Sequence, residues 1–242
     1  MDVKEESILG PDLNEHWYYV SKGRALRAML GDTRCEGILD VGAGSGIFSR
    51  QLLDAGIGNF ATCVDPAYSN ERTELHNGKQ ISFVKSSDAA IEDLVLLMDV
   101  LEHVQDDVEL LRQYTESMPR SGVVAITVPA FQFLWSGHDV FLEHYRRYTK
   151  TMLQQVVENA GLEVVRSRYF FASIFPAVAA VRLLGAWRLR NRAIEPQSSL
   201  RRHSDFVNAA LTRIHDIERL SLLRINSIAG LSLFCIARPR RS

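Results

Sequence analysis

The feature that most constrains the fold is a regular alternation of short apolar runs with amphipathic segments from residue 36 onward. The apolar runs are GILDVGAG, NFATCVDP, QISFVKSSD, DLVLLMDV and GVVAITVPA, and the segments between them include GIFSRQLLDAG and DDVELLRQYTESM. Continuous apolar runs are typical of parallel strands that are buried on both faces. Strands that alternate with helices in this way predict a doubly wound α/β domain.

The rest of the chain fits the same domain. AGLEVVRSRYF predicts a sixth strand, DFVNAALTRIHDIERLSLLR a long amphipathic helix, and AGLSLFCIARP a last strand. A chain of 242 residues suits one domain with a substantial core. We therefore expect a single domain over residues 1–242.

A glycine-rich turn follows the first strand. ILDVGAGSG places Asp40, Gly42, Gly44 and Gly46 between that strand and the next helix. Glycines there let the backbone pass close to a ligand and turn sharply into the helix. NAD sites share such turns, but the third glycine of their G-x-G-x-x-G pattern would fall at Ile47. The turn instead has the pattern D-x-G-x-G-x-G.

This pattern resembles motif I of the class I S-adenosylmethionine (SAM) methyltransferases, and further acids follow in that family's order. Asp65 ends the second strand, Asp88 follows the third, and DVLEHVQDD resembles the signature of ubiquinone-pathway and related small-molecule methyltransferases. The resemblance covers about residues 15–168. It implies SAM as the cofactor and a Rossmann-like α/β fold, with a seven-stranded, mostly parallel sheet and an antiparallel last strand.

The resemblance also divides the chain and implies cofactor contacts. Residues 1–35 would form an N-terminal helical lid, 36–168 the SAM-binding core, 169–203 a helical insertion, and 204–242 the final helix and strand. Asp65 would accept hydrogen bonds from the ribose hydroxyls, and Asp88 would meet the adenine. Arg24 would hold the SAM carboxylate or else face solvent. The implied cofactor-binding residues are Arg24, Asp40, Gly42, Ala43, Gly44, Gly46, Asp65, Pro66, Asp88, Ala89, Asp99 and Val100.

HDVFLEHYRRYT, residues 138–149, follows the fifth strand and is rich in titratable side chains. Ligands of open α/β sheets bind beyond the carboxyl ends of the strands, so we expect this loop beside the methyl donor. His144 and His138 are candidate general bases because histidine titrates near neutral pH, and Asp139 can orient either one. With His103 they are the predicted catalytic residues. The loop's other candidate donors to an acceptor are Tyr145, Arg146, Arg147 and Tyr148.

A divalent cation is an alternative for part of this region. The loop's own ligand-type residues match no standard zinc spacing. Asp99, Glu102 and His103 form an acid-x-x-Glu-His arrangement that the resemblance links to a magnesium-type ion. In the version we prefer, no metal is bound: Asp99 contacts the cofactor, Glu102 is solvated, and His103 faces the acceptor as a base.

The predicted reaction is transfer of the SAM methyl group to a hydroxyl or amine of a small-molecule, sugar or lipid-linked acceptor. The amino-acid sequence of the loop also resembles that of uncharacterised bacterial methyltransferases associated with glycan or lipid-glycan pathways. A formal net charge of −1 and the lack of a recognised RNA module predict no nucleic-acid partner. A catalytically silent SAM-binding partner subunit and a nucleotide-dependent oxidoreductase remain as alternatives.

The apolar stretch YFFASIFPAVAAVRLLGAW, residues 169–187, is followed by an arginine-rich segment. The stretch is too short and interrupted to span a bilayer. It predicts a helix over the core, a hydrophobic lid over an apolar acceptor, a homodimer contact through residues 169–192, or a peripheral membrane contact. Cys35, Cys63 and Cys235 suggest no disulfide framework, and the acidic N-terminus is no signal peptide. We therefore expect a cytoplasmic protein, with membrane association at the inner face left open.

Overall fold

One mixed β-sheet organises the molecule. The computed structural model describes residues 10–87, 92–188, 195–198 and 203–240, and within them eight strands pair in the order β3-β4-β2-β1-β5-β6-β8-β7. The strands are β1 (Gly37–Val41), β2 (Phe60–Val64), β3 (Arg72–His76), β4 (Lys79–Val84), β5 (Leu94–Met98), β6 (Val123–Pro129), β7 (Leu162–Phe170) and β8 (Ser232–Pro239).

The centre of the sheet is parallel and its two ends are antiparallel. β1 pairs in parallel with β2 and β5, and the parallel pairing continues from β2 to β4 and from β5 to β6. β8 runs antiparallel between β6 and β7. Every residue of β1 and β5 is buried, as expected for parallel strands covered by helices on both faces. The predicted Rossmann-like α/β fold with an antiparallel last strand is confirmed.

The sheet has one strand more than the seven that the sequence predicted. β3 is a polar, largely exposed strand that forms an antiparallel hairpin with β4 at the edge of the sheet. Asn77 and Gly78 make the turn with φ of 50° and 80°. An Asn-Gly pair favours such tight hairpins because both residues tolerate positive φ. Because it lacks an apolar run, this strand was missed.

Seven α-helices cover the sheet within the described residues. They are α1 (Trp17–Leu30), α2 (Ile47–Asp54), α3 (Asp107–Thr115), α4 (Gly137–Phe141), α5 (Lys150–Asn159), α6 (Phe175–Arg188) and α7 (Asp205–Ser221). α1 lies in the predicted N-terminal lid and packs against α7, where the Trp17 amide donates to Asn208 Oδ1 at 2.8 Å. α6 lies in the predicted insertion, whose residues 189–194 and 199–202 are outside the described part.

In the described part of the chain, each helix is too short or too polar to cross a lipid bilayer.

Candidate active site

The turn between β1 and α2 is built on three left-handed glycines. Gly42, Gly44 and Gly46 have φ of 64°, 53° and 71°. A Cβ on Gly42 would lie 2.8 Å from Val100 Cγ2, so a larger residue would clash as well as strain the backbone. The turn therefore presents bare backbone at the carboxyl end of β1, where the sequence predicted the cofactor.

Two buried carboxylates hold this turn. Asp40 accepts a hydrogen bond from Ser49 Oγ at 2.8 Å, and burial raises the pKa of Asp40 to about 6. Asp65, at the end of β2 and next to Pro66, accepts from the amide of Gly44 at 3.0 Å and from that of Ala67 at 2.9 Å. Each carboxylate oxygen has two lone pairs, so Asp65 keeps acceptor capacity for a further donor.

Asp99 lies at the end of β5 with φ of 55°, in an arrangement that the sequence did not predict. The ammonium group of the fully buried Lys22 on α1 forms an ion pair with it. Tyr18 donates its hydroxyl to Asp99 Oδ2 at 3.3 Å, and Thr127 donates to Oδ1 at 3.2 Å. Burial opposes ionisation of Asp99, but Lys22 overcomes it and lowers the Asp99 pKa. The spacing of Tyr18 and Lys22 by four residues, which places both on one face of α1, was the available signal.

Tyr18 and Arg24 of α1 have distinct positions. Tyr18 stacks on Phe171 with ring centroids 5.3 Å apart and also contacts Asp99. Arg24 pairs with Asp216 on α7 and lines a different groove. Asp88 and Ala89 lie outside the described residues.

The loop after β6 fixes one histidine through a buried carboxylate. Asp139 caps α4 with Ser136 and is fully buried. It accepts from Arg147 Nε at 2.6 Å and Nη2 at 3.0 Å, and it lies 3.1 Å from His144 Nδ1. Burial opposes its ionisation, but these hydrogen bonds hold the pKa of Asp139 well below its usual range. The ionised Asp139 therefore favours a proton on His144 Nδ1, which leaves Nε2 as an acceptor.

His144 meets two residues of the segment after β5. The rings of His103 and His144 stand edge to face with centroids 4.6 Å apart. Glu102 is fully buried, and neither of its carboxylate oxygens has a hydrogen bond to another described residue. Burial raises the pKa of Glu102 well above its ordinary value, and the charge of Asp99 adds to this. The expectation that Glu102 is solvated is therefore wrong, because the loop after β6 covers it: the Tyr145 amide donates to the Glu102 carbonyl at 2.7 Å.

The other polar residues of the loop either form hydrogen bonds within the protein or are exposed to solvent. Tyr148 donates to Asp107 Oδ2 at 2.7 Å, and Arg146 Nη1 reaches the same oxygen at 2.9 Å. Tyr145 is 58% exposed. These three side chains do not line the cavity beside His144, whereas Arg147 does.

A cavity of about 490 Å³ connects these groups. Asp99, Glu102, His103, His138 and His144 line its polar part, and Trp17 and Tyr18 form an aromatic wall. Burial lowers the pKa of His138 to about 4, so this histidine is neutral near pH 7. The four predicted catalytic residues thus lie in or directly behind one cavity, with Asp139 as the buried partner of His144.

Helix α6 supplies the apolar side of the cavity. Ala177, Val178 and Val181 line it, and Arg182 turns inward to donate to the Leu134 carbonyl. Burial lowers the pKa of Arg182 to about 10. The predicted insertion therefore contributes to the site as well as to the surface.

Glu102, His103 and His144 also meet a simple requirement for a cation site. One ligand-type atom of each lies within 4.8 Å of the others. His144 Nε2, like the Glu102 carboxylate, has no hydrogen-bond partner among the described residues. Asp99, the acid that the resemblance implied as a ligand, is already paired with Lys22.

The family model and the curated relatives that match this chain are all methyltransferases. A family described as "Methyltransferase domain" matches residues 17–167. An uncharacterized methyltransferase of Mycobacterium bovis is 28% identical over 114 residues, which are 45% of this chain and 45% of that protein. One of Mycolicibacterium gilvum is 27% identical over 175 residues, 62% of this chain and 69% of that protein. The chain thus spans about half the length of the first of these curated relatives.

Solved structures share the fold. A SAM-dependent methyltransferase from Archaeoglobus fulgidus superposes with a TM-score of 0.53 at 19% identity, covering 97% of both chains. At this low sequence identity the superposition shows a common fold only, and the reaction follows from the side chains of the site. With the family match over residues 17–167 and the glycine turn at the end of β1, we conclude that the chain belongs to the methyltransferase domain family.

Proposed function

We propose that the chain transfers the methyl group of SAM to a hydroxyl or amine of a small acceptor that has an apolar portion. One observation carries this proposal: a single cavity extends from Asp99, at the carboxyl end of β5, to the Asp139-oriented His144. The acceptor would therefore occupy a cavity that reaches the carboxyl end of β5, the neighbour of β1 in the sheet, with α1 and α6 along its sides. Positioning of this kind provides much of the rate acceleration in displacement reactions.

The donor side is assigned to the glycine turn and the acids beside it. Asp65 has remaining acceptor capacity for the ribose hydroxyls, and the Gly42–Gly46 turn admits a ligand against bare backbone. Asp99 is kept ionised by Lys22 and follows β5, the neighbour of β1 in the sheet. The SAM molecule supplies the electrophilic methyl carbon.

The acceptor side is assigned to His144. Its Nε2 has no partner among the described residues, and Asp139 holds the opposite nitrogen. In the step we propose, the acceptor oxygen or nitrogen forms a bond to the methyl carbon while the carbon–sulfur bond breaks. The bonding pair stays on sulfur to give S-adenosylhomocysteine, and the acceptor proton passes to His144 Nε2.

The walls of the cavity favour an acceptor with an apolar body. Helix α6 lines the cavity with Ala177, Val178 and Val181, whereas the acids and histidines of the lining come from the segments after β5 and β6. An acceptor with a reactive polar end and an apolar remainder, such as a lipid-linked molecule, would match this division. A fully polar sugar would leave the wall of α6 without apolar contact.

A divalent cation is a second occupant for the same end of the cavity. Glu102, His103 and His144 would hold it, and it would stabilise a developing oxyanion of the acceptor. The unpaired, buried Glu102 carboxylate favours this alternative. Calorimetry with Mn²⁺ and Mg²⁺ on the wild type and on Glu102→Gln decides it. Binding that Glu102→Gln removes supports the cation, and absence of heat with both ions leaves His144 as the base.

The proposed function is tested by ligand binding and turnover together. S-adenosylhomocysteine should bind and NAD should not, which separates the proposal from a nucleotide-dependent oxidoreductase. A screen with methyl-labelled SAM against apolar alcohols and amines should then give acceptor-dependent transfer that His144→Ala lowers by about 10²–10⁴-fold. Binding without transfer to any acceptor, in cells as well as in the screen, would favour a silent partner subunit.

A further inference from the structure

The outer face of α7 is apolar where a surface helix is normally polar. Phe206, Ile217 and Leu220 are 82%, 67% and 70% exposed, and their spacing of eleven and three residues places them on one stripe. The opposite face of the helix buries His215 and Glu218. Ile225 and Ile228 extend the exposed apolar surface beyond the end of the helix. Large contiguous apolar surfaces of this kind mark interaction sites.

An arginine-rich groove of about 950 Å³ borders this stripe, and Leu220 belongs to both. Asp32 is the one acid among its described lining residues. The arginines of the groove come from α1, the loop before β1, β7 and the end of α7. They are Arg24, Arg27, Arg34, Arg166, Arg168, Arg219 and Arg224.

Among the described residues, carboxylates neutralise little of the positive charge of the groove. Arg24 and Arg219 share a single partner, Asp216. Arg166 and Arg168 donate to backbone carbonyls, which carry no net charge. The groove therefore keeps a strong local positive charge in a chain whose formal net charge is −1.

We propose that the apolar stripe of α7 and the arginine groove form a docking surface for an anionic lipid bilayer. Exposed apolar side chains insert at the headgroup–acyl boundary, and adjacent arginines attract anionic headgroups. This pairing distinguishes the surface from a dimer contact. A symmetric contact between two copies would place the two arginine grooves near one another. Their positive charges would then repel each other.

Bilayer docking does not depend on methyl transfer, but α7 contacts the wall of the active-site cavity. Trp17 stacks on His215 of α7 at 5.1 Å, and the same tryptophan lines the cavity that contains His144. A bilayer against α7 would lie on the far side of the helix that supports the aromatic wall of that cavity.

Vesicle flotation tests the docking surface. We expect the full chain to float with vesicles that contain phosphatidylglycerol, and to bind pure phosphatidylcholine vesicles and free inorganic phosphate weakly or not at all. Ile217→Ser with Leu220→Ser should reduce binding at least about tenfold. Leu75→Ser, at the exposed edge strand β3, is the matched apolar control and should have no effect.

Charge-reversal variants test the arginine groove separately from the apolar stripe of α7. Arg27→Glu and Arg224→Glu should each weaken binding by about fivefold or more, and added salt should do the same. Arg120→Glu, at an exposed site outside the groove, is the control. Unchanged S-adenosylhomocysteine affinity in all variants shows that they are folded and keeps this test separate from the proposed function.

Three results would overturn the proposal. The first is no flotation with anionic vesicles, and the second is equal binding to neutral ones. The third is a dimer in light scattering that Ile217→Ser with Leu220→Ser converts to a monomer while vesicle binding stays unchanged. In that case the stripe covers a second copy of the chain.

Discussion

Asp139 Oδ1 lies 3.1 Å from Nδ1 of His144, and Arg147 holds the same carboxylate through two of its nitrogens. The contact fixes the orientation of a ring whose other nitrogen faces the cavity without a partner among the described residues. A histidine held this way is prepared to accept a proton from a bound acceptor. This relationship is the basis of the first prediction.

His144→Ala should lower methyl transfer by about 10²–10⁴-fold and leave the affinity for S-adenosylhomocysteine unchanged, because general-base catalysis is lost while the donor contacts remain. Rates with saturating SAM and calorimetry measure the two effects. His76→Ala, a half-buried histidine on β3 that does not line this cavity, is the matched control. A normal rate in His144→Ala would return this histidine to a structural role.

Lys22→Met should destabilise the fold by about 3 kcal/mol because it leaves Asp99 without its charged partner. The double variant with Asp99→Asn should recover most of this loss, since no unpaired charge remains. Arg24→Met, which breaks the exposed pair with Asp216, should cost under about 1 kcal/mol. Urea unfolding measures all three, and equal losses for the two single variants would contradict the role of burial.

Asp65→Ala should weaken binding of S-adenosylhomocysteine by about 1–3 kcal/mol, because it removes hydrogen bonds to the ribose and releases the Gly44 amide. Asp54→Ala, at the end of α2, is the control carboxylate. Calorimetry gives both affinities. If the two variants bind alike, Asp65 does not contact the ligand.

Asp40 should make stability depend on pH in a definite direction. Burial raises its folded-state pKa from 3.8 to about 6, so between about pH 4 and 6 the folded state binds more protons than the unfolded state. The free energy of unfolding therefore falls as pH rises through this window. Asp40→Asn removes the titration and should be more stable than the wild type at pH 7, by up to about 3 kcal/mol.

Unfolding curves from pH 4 to pH 8 test this sign. The advantage of Asp40→Asn should shrink as pH falls towards 4, where the wild-type carboxyl group is protonated in the folded state. A difference that does not vary with pH would mean that Asp40 titrates normally.

The sequence was sufficient for the buried part of the fold because β1, β2, β5 and β6 are continuous apolar runs. β3 was missed because an exposed edge strand has no such run, although Asn77–Gly78 carries a hairpin signal. A local sequence pattern therefore predicts a strand only when burial of that strand makes its residues apolar.

Parts of the site depended on tertiary contacts that no local pattern contains. The position of the loop after β6 could be predicted from strand order, and with it the neighbourhood of His138 and His144. The pairing of Lys22 with Asp99 depends on how α1 docks against the sheet and α7. The burial of Glu102 depends on a loop more than thirty residues later that folds over it.

Titration of S-adenosylhomocysteine into the wild type, Asp65→Ala and His144→Ala tests the central claim most directly. We predict one site per chain, weakened about 5- to 150-fold by Asp65→Ala and unaffected by His144→Ala. Absence of binding to the wild type, or binding of NAD in its place, would contradict the assignment of the glycine turn to SAM.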